Sequence, residues 1–307
     1  MQTIFKYIAI AISLFLPSVA SALQSKTTEQ KRVDLFVEAA MPKSGFAGET
    51  SEYIVTLYSS SPDVADVRIL DMPVFPESVT TLQGVVRNQR PSQVKIKGRT
   101  YYGWTILRMF ITPSESGRVT VDGGKYLAYI GKERIVDDYF WGRRRVRDYD
   151  EYMVTGKSSE IKVNALPEFK MQGSFSGVIG EFSVEGWFPP GEIRVGSEAI
   201  AVFTISGFGL LEDLKMPDLT DLFTDGCRLR EVSRDDEVSQ KDGRLFSEVT
   251  LTCRFIPEDE DGVIGPLKIC VYNPKEKRYE YVESFPLRWS GRKMASSSVS
   301  PREVYEI

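Results

Sequence analysis

Val249-Thr250-Leu251-Thr252-Cys253-Arg254-Phe255 alternates apolar with polar side chains along its whole length. Successive side chains of a strand point to opposite faces, so period two with one polar face marks a half-buried β-strand. The same period extends outward from this stretch. Val33, Leu35, Val37 and Ala39 alternate with Asp34 and Glu38; Tyr53, Val55 and Leu57 alternate across the next run; Tyr101 to Ile111 is aromatic and β-branched. Turn residues punctuate the chain about every 8–12 residues. No stretch of helical length sustains a 3.6-residue period. Many short strands without helices predict an all-β fold of packed sheets, that is, β-sandwiches.

The strand around Cys253 has an earlier counterpart. Phe110-Ile111-Thr112-Pro113 followed by Gly117 corresponds to Phe255-Ile256-Pro257 followed by Gly262. Gly48-Glu49 with Tyr53, Val55, Thr56 and Leu57 corresponds to Gly196-Ser197-Glu198 with Ala201, Phe203, Thr204 and Ile205. Met72-Pro73 corresponds to Met216-Pro217. The offsets stay between about 144 and 148 residues, and three coincidences in order predict a duplicated domain. The boundary then falls at Leu166-Pro167. Residues 33–166 form one sandwich, 167–180 a small-residue-rich linker, 181–290 the second sandwich, and 291–307 a serine-rich disordered tail.

The first 22 residues read as an address. Lys6 precedes the apolar run Ile8 to Leu16, Pro17 breaks it, and Ala20-Ser21-Ala22 fits a cleavage site for small residues. The run is too short to span a bilayer, which takes about 20 apolar residues. An exported, periplasmic mature chain without a transmembrane segment is expected.

Composition excludes whole classes of chemistry. Among 307 residues there is no histidine, which removes Ser-His-Asp and Cys-His nucleophiles and histidine-bound zinc. Three cysteines are too few for a four-thiolate metal site. Thirty-nine basic against 43 acidic side chains, net -4, oppose a broad nucleic-acid footprint. The reading is a non-enzyme without cofactor, catalytic residue or metal.

Several stretches resemble one family, the BatD-type oxygen-tolerance (Bacteroides aerotolerance) proteins. Leu166-Pro167 with Phe175-Ser176-Gly177-Val178-Ile179-Gly180-Glu181-Phe182 resembles the family's junction. Val195-Gly196-Ser197-Glu198, with Thr204-Ile205-Ser206-Gly207 and Gly209-Leu210, resembles its strand entry. Phe255-Ile256-Pro257 matches a third stretch, and Val271-Tyr272-Asn273-Pro274-Lys275 through Arg278-Tyr279-Glu280 resembles its closing hairpin. Asp137-Asp138-Tyr139-Phe140 resembles its Asp-x-Phe-Phe loop. The resemblance covers most of residues 33–290. It implies two tandem immunoglobulin-like β-sandwiches on the periplasmic side of the envelope, working beside von Willebrand A domain and TPR proteins. It carries no catalytic residues. Longer members end in a transmembrane helix; here the sequence stops at Ile307 without one, so the resemblance is to a short form.

Two features stand out as candidate sites. Between Asp137 and Tyr152, Arg143, Arg144, Arg145 and Arg147 are interleaved with Tyr139, Phe140, Trp141 and Tyr149 and flanked by acids. Arginine and aromatic residues dominate protein-interface hot spots. Tyr139, Phe140, Trp141, Arg143, Arg144, Arg145 and Arg147 are therefore the expected partner-binding residues, set against a salt-bridged, solvated hairpin with no partner. The favoured reading of the cysteines is three buried thiols, with Cys253 in the core; the alternatives are a Cys227–Cys253 disulfide, if the two face each other across a hairpin turning near Gln240, or a Cys253–Cys270 pair. Two further readings are weaker. The acidic run Glu258–Asp261 would offer a carboxylate to the metal of a von Willebrand A domain. A carbohydrate-binding β-sandwich is the rival function, and it needs a row of exposed aromatics; Trp187-Phe188 beside Pro189-Pro190-Gly191 reads more naturally as core.

Overall fold

The computed structural model describes residues 33–86, 90–224 and 226–290. The export signal read over 1–22 and the tail read over 291–307 lie outside the described residues. The described chain is all-β, apart from a single 3-10 turn, Leu219–Leu222, capped by the Asp218 carboxylate, which accepts from the Thr220 N–H at 2.9 Å. No helix among the described residues is long and apolar enough to cross a membrane.

The strands run, in the N-terminal half, β1 Leu35–Ala40, β2 Ser44–Phe46, β3 Ser51–Ser59, β4 Val64–Asp71, β5 Val79–Gln83, β6 Ser92–Ile96, β7 Arg99–Pro113, β8 Gly117–Val121, β9 Lys125–Asp138, β10 Gly142–Thr155 and β11 Ser159–Asn164. The C-terminal half holds β12 Gly180–Trp187, β13 Ala199–Gly209, β14 Cys227–Lys241, β15 Arg244–Pro257, β16 Asp261–Ile264, β17 Lys268–Asn273, β18 Arg278–Glu283 and β19 Leu287–Ser290. In the first half one sheet runs β1-β3-β7, with β5 and β6 both paired to β7; a second runs β10-β9-β4; a third runs β2-β11-β8. In the second half the sheets are β12-β13-β15-β14, β16-β19 and β17-β18.

The internal repeat reappears in the pairing register. Tyr53 stands opposite Met109, and its counterpart Ala201 stands opposite Cys253. Pro113 faces Val79, and Pro257 faces Cys227. Strands β5 and β6 take successive parts of β7, as the continuous β14 takes β15. The β8–β11 pair matches β16–β19, and the β9–β10 hairpin matches β17–β18. A bulge skips Ile106 on β7 and contributes to the drift in the repeat offset.

Burial follows the period-two pattern in both halves, because inward positions lose apolar surface to the core. Each large aliphatic side chain removed from water contributes about 1.5–3 kcal/mol. The first core joins Val37, Tyr53, Val55 and Leu57 to Leu107, Met109 and Ile111, and closes over them with Val119, Val121, Tyr126, Ala128, Ile161 and Val163. The second joins Phe203, Ile205, Leu251, Cys253 and Phe255 to Ile264, Leu267, Ile269, Val271, Leu287 and Trp289. Contacts between the halves are few and specific. Phe46 meets Tyr272 edge-on at 5.1 Å, the Arg108 guanidinium, paired within its own half to Glu52, also donates to the Gly243 carbonyl, and the Val85 N–H donates to Gln240 Oε1 at 2.9 Å.

The segment 176–180, read as the end of a linker, is built into the second half. Val178 is part of its core, the Tyr272 N–H donates to the Val178 carbonyl, and Ile179 bridges to Tyr272. Ser176 donates its hydroxyl to the Cys270 carbonyl at 2.5 Å, while its own carbonyl accepts from the Lys215 N–H. Farther back, the hydroxyls of Tyr279 and Tyr281 donate to the carbonyls of Pro167 and Gln172.

Candidate partner-binding hairpin

The β9–β10 hairpin is the elongated member of the repeated pair. Strand β4 pairs with β9 only as far as Val64 opposite Ile130. Beyond that point Gly131–Asp138 and Gly142–Tyr149 pair only with each other, giving a two-stranded arm roughly 25 Å long at 3.3 Å per residue. Asp63 holds its base: its carbonyl accepts from the Gly131 N–H at 2.8 Å and its carboxylate pairs with Arg147.

The tip is a three-residue loop, Tyr139-Phe140-Trp141, between Asp138 and its cross-strand partner Gly142. Such loops end on a residue with positive φ, and Gly142 supplies it at φ 69. The Asp138 carboxylate accepts from the N–H groups of Phe140 at 2.9 Å and Trp141 at 3.1 Å, which fixes the turn. The three aromatic side chains are left outside it, exposed by 95, 85 and 79 %. Tyr139 and Phe140 pack edge-to-face on each other at 5.2 Å. Exposed aromatics in one cluster, on a turn whose backbone is satisfied, form a rigid apolar knob.

The arginines meet carboxylates within the arm or at its base. Arg143 lies 3.4 Å from Asp137, directly across the ladder, and Arg144 lies 3.2 Å from Asp138. Arg145 reaches Glu133 diagonally at 3.3 Å, and Arg147 pairs with Asp63. Lower down, Asp148 pairs with Arg134 and Asp150 with Lys132, whose ammonium is held above its ordinary range by that hydrogen bond. Exposed pairs of this kind contribute about 0–1 kcal/mol each. They align the arm without quenching the arginines, whose side chains, from Arg143 to Arg147, stay more than half exposed. The structure thus brings all seven sequence-predicted residues onto one arm. It gives Asp138, named in the sequence only as a flanking acid, the role of folding the tip, and adds two residues that reading the sequence passed over: Asp63 as the anchor of the base, and Lys132. The spacing Asp138 to Gly142 was a legible signal for the role of Asp138; Asp63 lies too far away in sequence to carry one.

The Cys227–Cys253 disulfide is not formed. The hairpin turns at Asp242-Gly243 rather than near Gln240, and the bulge between Leu229 and Glu231 takes back only one residue of that shift. Cys227 therefore faces Pro257, while Cys253 faces Val232. Four strand residues separate the two thiols, about 13 Å, where a disulfide needs Cα atoms within about 7 Å. Cys253 is fully buried in the second core, and burial pushes its thiol up to about 11.

The remaining candidates fall into place individually. Trp289 is buried, Trp104 and Trp187 are half-buried, and Trp141 alone of the four tryptophans is exposed, so they form no row on one face. Phe188 packs against Phe255 and Trp289. In the acidic run, Glu258 lies 3.6 Å from Arg228 and the Asp259 carbonyl accepts from the Trp289 indole. No group of three potential metal-ligating side chains occurs among the described residues. The sequence matches no protein-family model and no curated protein.

Proposed function

We propose that this chain is a non-enzymatic interaction scaffold of the cell envelope, made of two tandem immunoglobulin-like β-sandwiches, that docks a protein partner through the tip of the β9–β10 arm. The observation that carries this reading is the knob of Tyr139, Phe140 and Trp141, presented to solvent on a turn held by Asp138 and collared by arginines. Large exposed aromatics cost solubility, and a clustered set beside guanidinium groups has the composition of an interface hot spot. The repeated strand connectivity and two separate cores support the tandem sandwich assignment. The sequence resemblance supports a periplasmic setting and von Willebrand A domain or TPR proteins as partners.

Site-specific photo-crosslinking tests the docking site. A photoreactive residue at Phe140 is expected to capture a partner in envelope preparations, while one at Glu115, on an exposed turn of the same half, captures none. Equal crosslinking from both positions, or none from Phe140, contradicts the proposal.

A further inference from the structure

Strand β10 is the edge of its sheet: it pairs with β9 on one side, and β1, which approaches it, hydrogen-bonds only to β3. Natural edge strands are usually guarded by charge against pairing with other chains. A guard of one sign would repel any second copy. The charges of β10 are instead segregated along the strand. Arg143, Arg144, Arg145 and Arg147 fill its first part, and Asp148, Asp150 and Glu151 follow. A strand that is basic at one end and acidic at the other repels a parallel copy of itself and attracts an antiparallel one.

We propose that two copies of this chain associate through antiparallel pairing of their β10 edges. A twofold axis perpendicular to a shared sheet keeps each face on its own side, so residues equally spaced from the axis meet on one face. With the axis at Arg147, Arg144 stands opposite Asp150 of the second copy, Arg143 opposite Glu151, and Arg145 opposite the face of Tyr149, a guanidinium–aromatic contact. Symmetry makes each contact twice. The one meeting of like charges, Arg147 with its twin, is relieved because each Arg147 already pairs with Asp63. This inference does not depend on the tip knob, which lies beyond the paired segment.

Sedimentation equilibrium of the mature chain tests it, at concentrations on the order of 100 µM. The native chain is expected to be a dimer that weakens as salt rises. Arg143→Glu with Arg144→Asp sets acids opposite Asp150 and Glu151 of the second copy, and Asp150→Arg with Glu151→Arg sets bases opposite Arg143 and Arg144. Each double variant alone is expected to be monomeric, with an unchanged circular-dichroism spectrum, and an equimolar mixture of the two is expected to dimerise again. The tip variant Tyr139→Ser, Phe140→Ser, Trp141→Ser stays dimeric, which separates this contact from partner docking. A monomeric native chain, dimers that persist in both double variants, or a mixture that stays monomeric overturns the proposal.

Discussion

Cys253 and Gly262 show how single residues are constrained by their neighbours. Burial raises the Cys253 thiol to about 11 from an ordinary value near 9. The unfolded chain therefore releases that proton at lower pH than the folded one. The resulting stability is fully present below pH 9 and is lost as pH rises toward 11. Urea unfolding of the native chain and of Cys253→Ala is expected to show a gap that narrows between pH 8 and 10.5, by up to roughly 2 kcal/mol. A gap that is constant with pH would mean the thiol is not shielded. Gly262 is constrained differently. A Cβ there would lie 2.0 Å from the Trp289 indole, which covers it across the strand pair. Gly262→Ala is expected to cost about 1–3 kcal/mol in chemical denaturation, by forcing Trp289 out of place. The counterpart Gly117 has open space but φ 149, so the same sequence position keeps glycine for a steric reason in one half and a backbone reason in the other.

At the scale of elements, the tip of the β9–β10 arm contributes little to stability. Its tip side chains touch little beyond each other, so replacing Tyr139, Phe140 and Trp141 with serine is expected to shift unfolding by less than about 0.5 kcal/mol. Asp138→Ala removes the side-chain carboxylate that accepts from two backbone N–H groups of the turn; proteolysis within 138–142 is expected to accelerate while global unfolding stays put, and unchanged cleavage would show that the carboxylate does not hold the loop. The arm also shows what was legible in the sequence. Alternation announced the strands, and the arginine–aromatic composition marked the segment. Its length was not visible, because it depends on where β4 stops pairing with β9, at Val64. The three cysteines are buried without a disulfide, as the favoured reading had it, and the Cys227–Cys253 alternative fails for the same kind of reason. The Asp242-Gly243 turn decides that Val232 faces Cys253, and alternation alone is blind to register.

The described molecule is all-β with two cores, and in its first half one hairpin is elongated into an arm. The repeat was legible because the inward strand positions Tyr53, Val55 and Leu57 must stay apolar wherever the fold recurs, as Ala201, Phe203 and Ile205 do. The extent of the linker was not, because Val178 and Ile179 are apolar residues recruited by a core built mainly from strands far along the chain. Separate expression of residues 33–172 and 173–290 is expected to give two cooperatively unfolding pieces, each with its own core; a piece that unfolds without a sigmoidal transition would show that the few contacts between halves are essential. The central claim is that the tip knob is where this scaffold is recognised. Its most direct test is affinity capture from native envelope with the intact chain and with the Tyr139→Ser, Phe140→Ser, Trp141→Ser variant. The account predicts that the intact chain retains a defined protein that the equally stable variant loses, and recovery of the same proteins by both would contradict it.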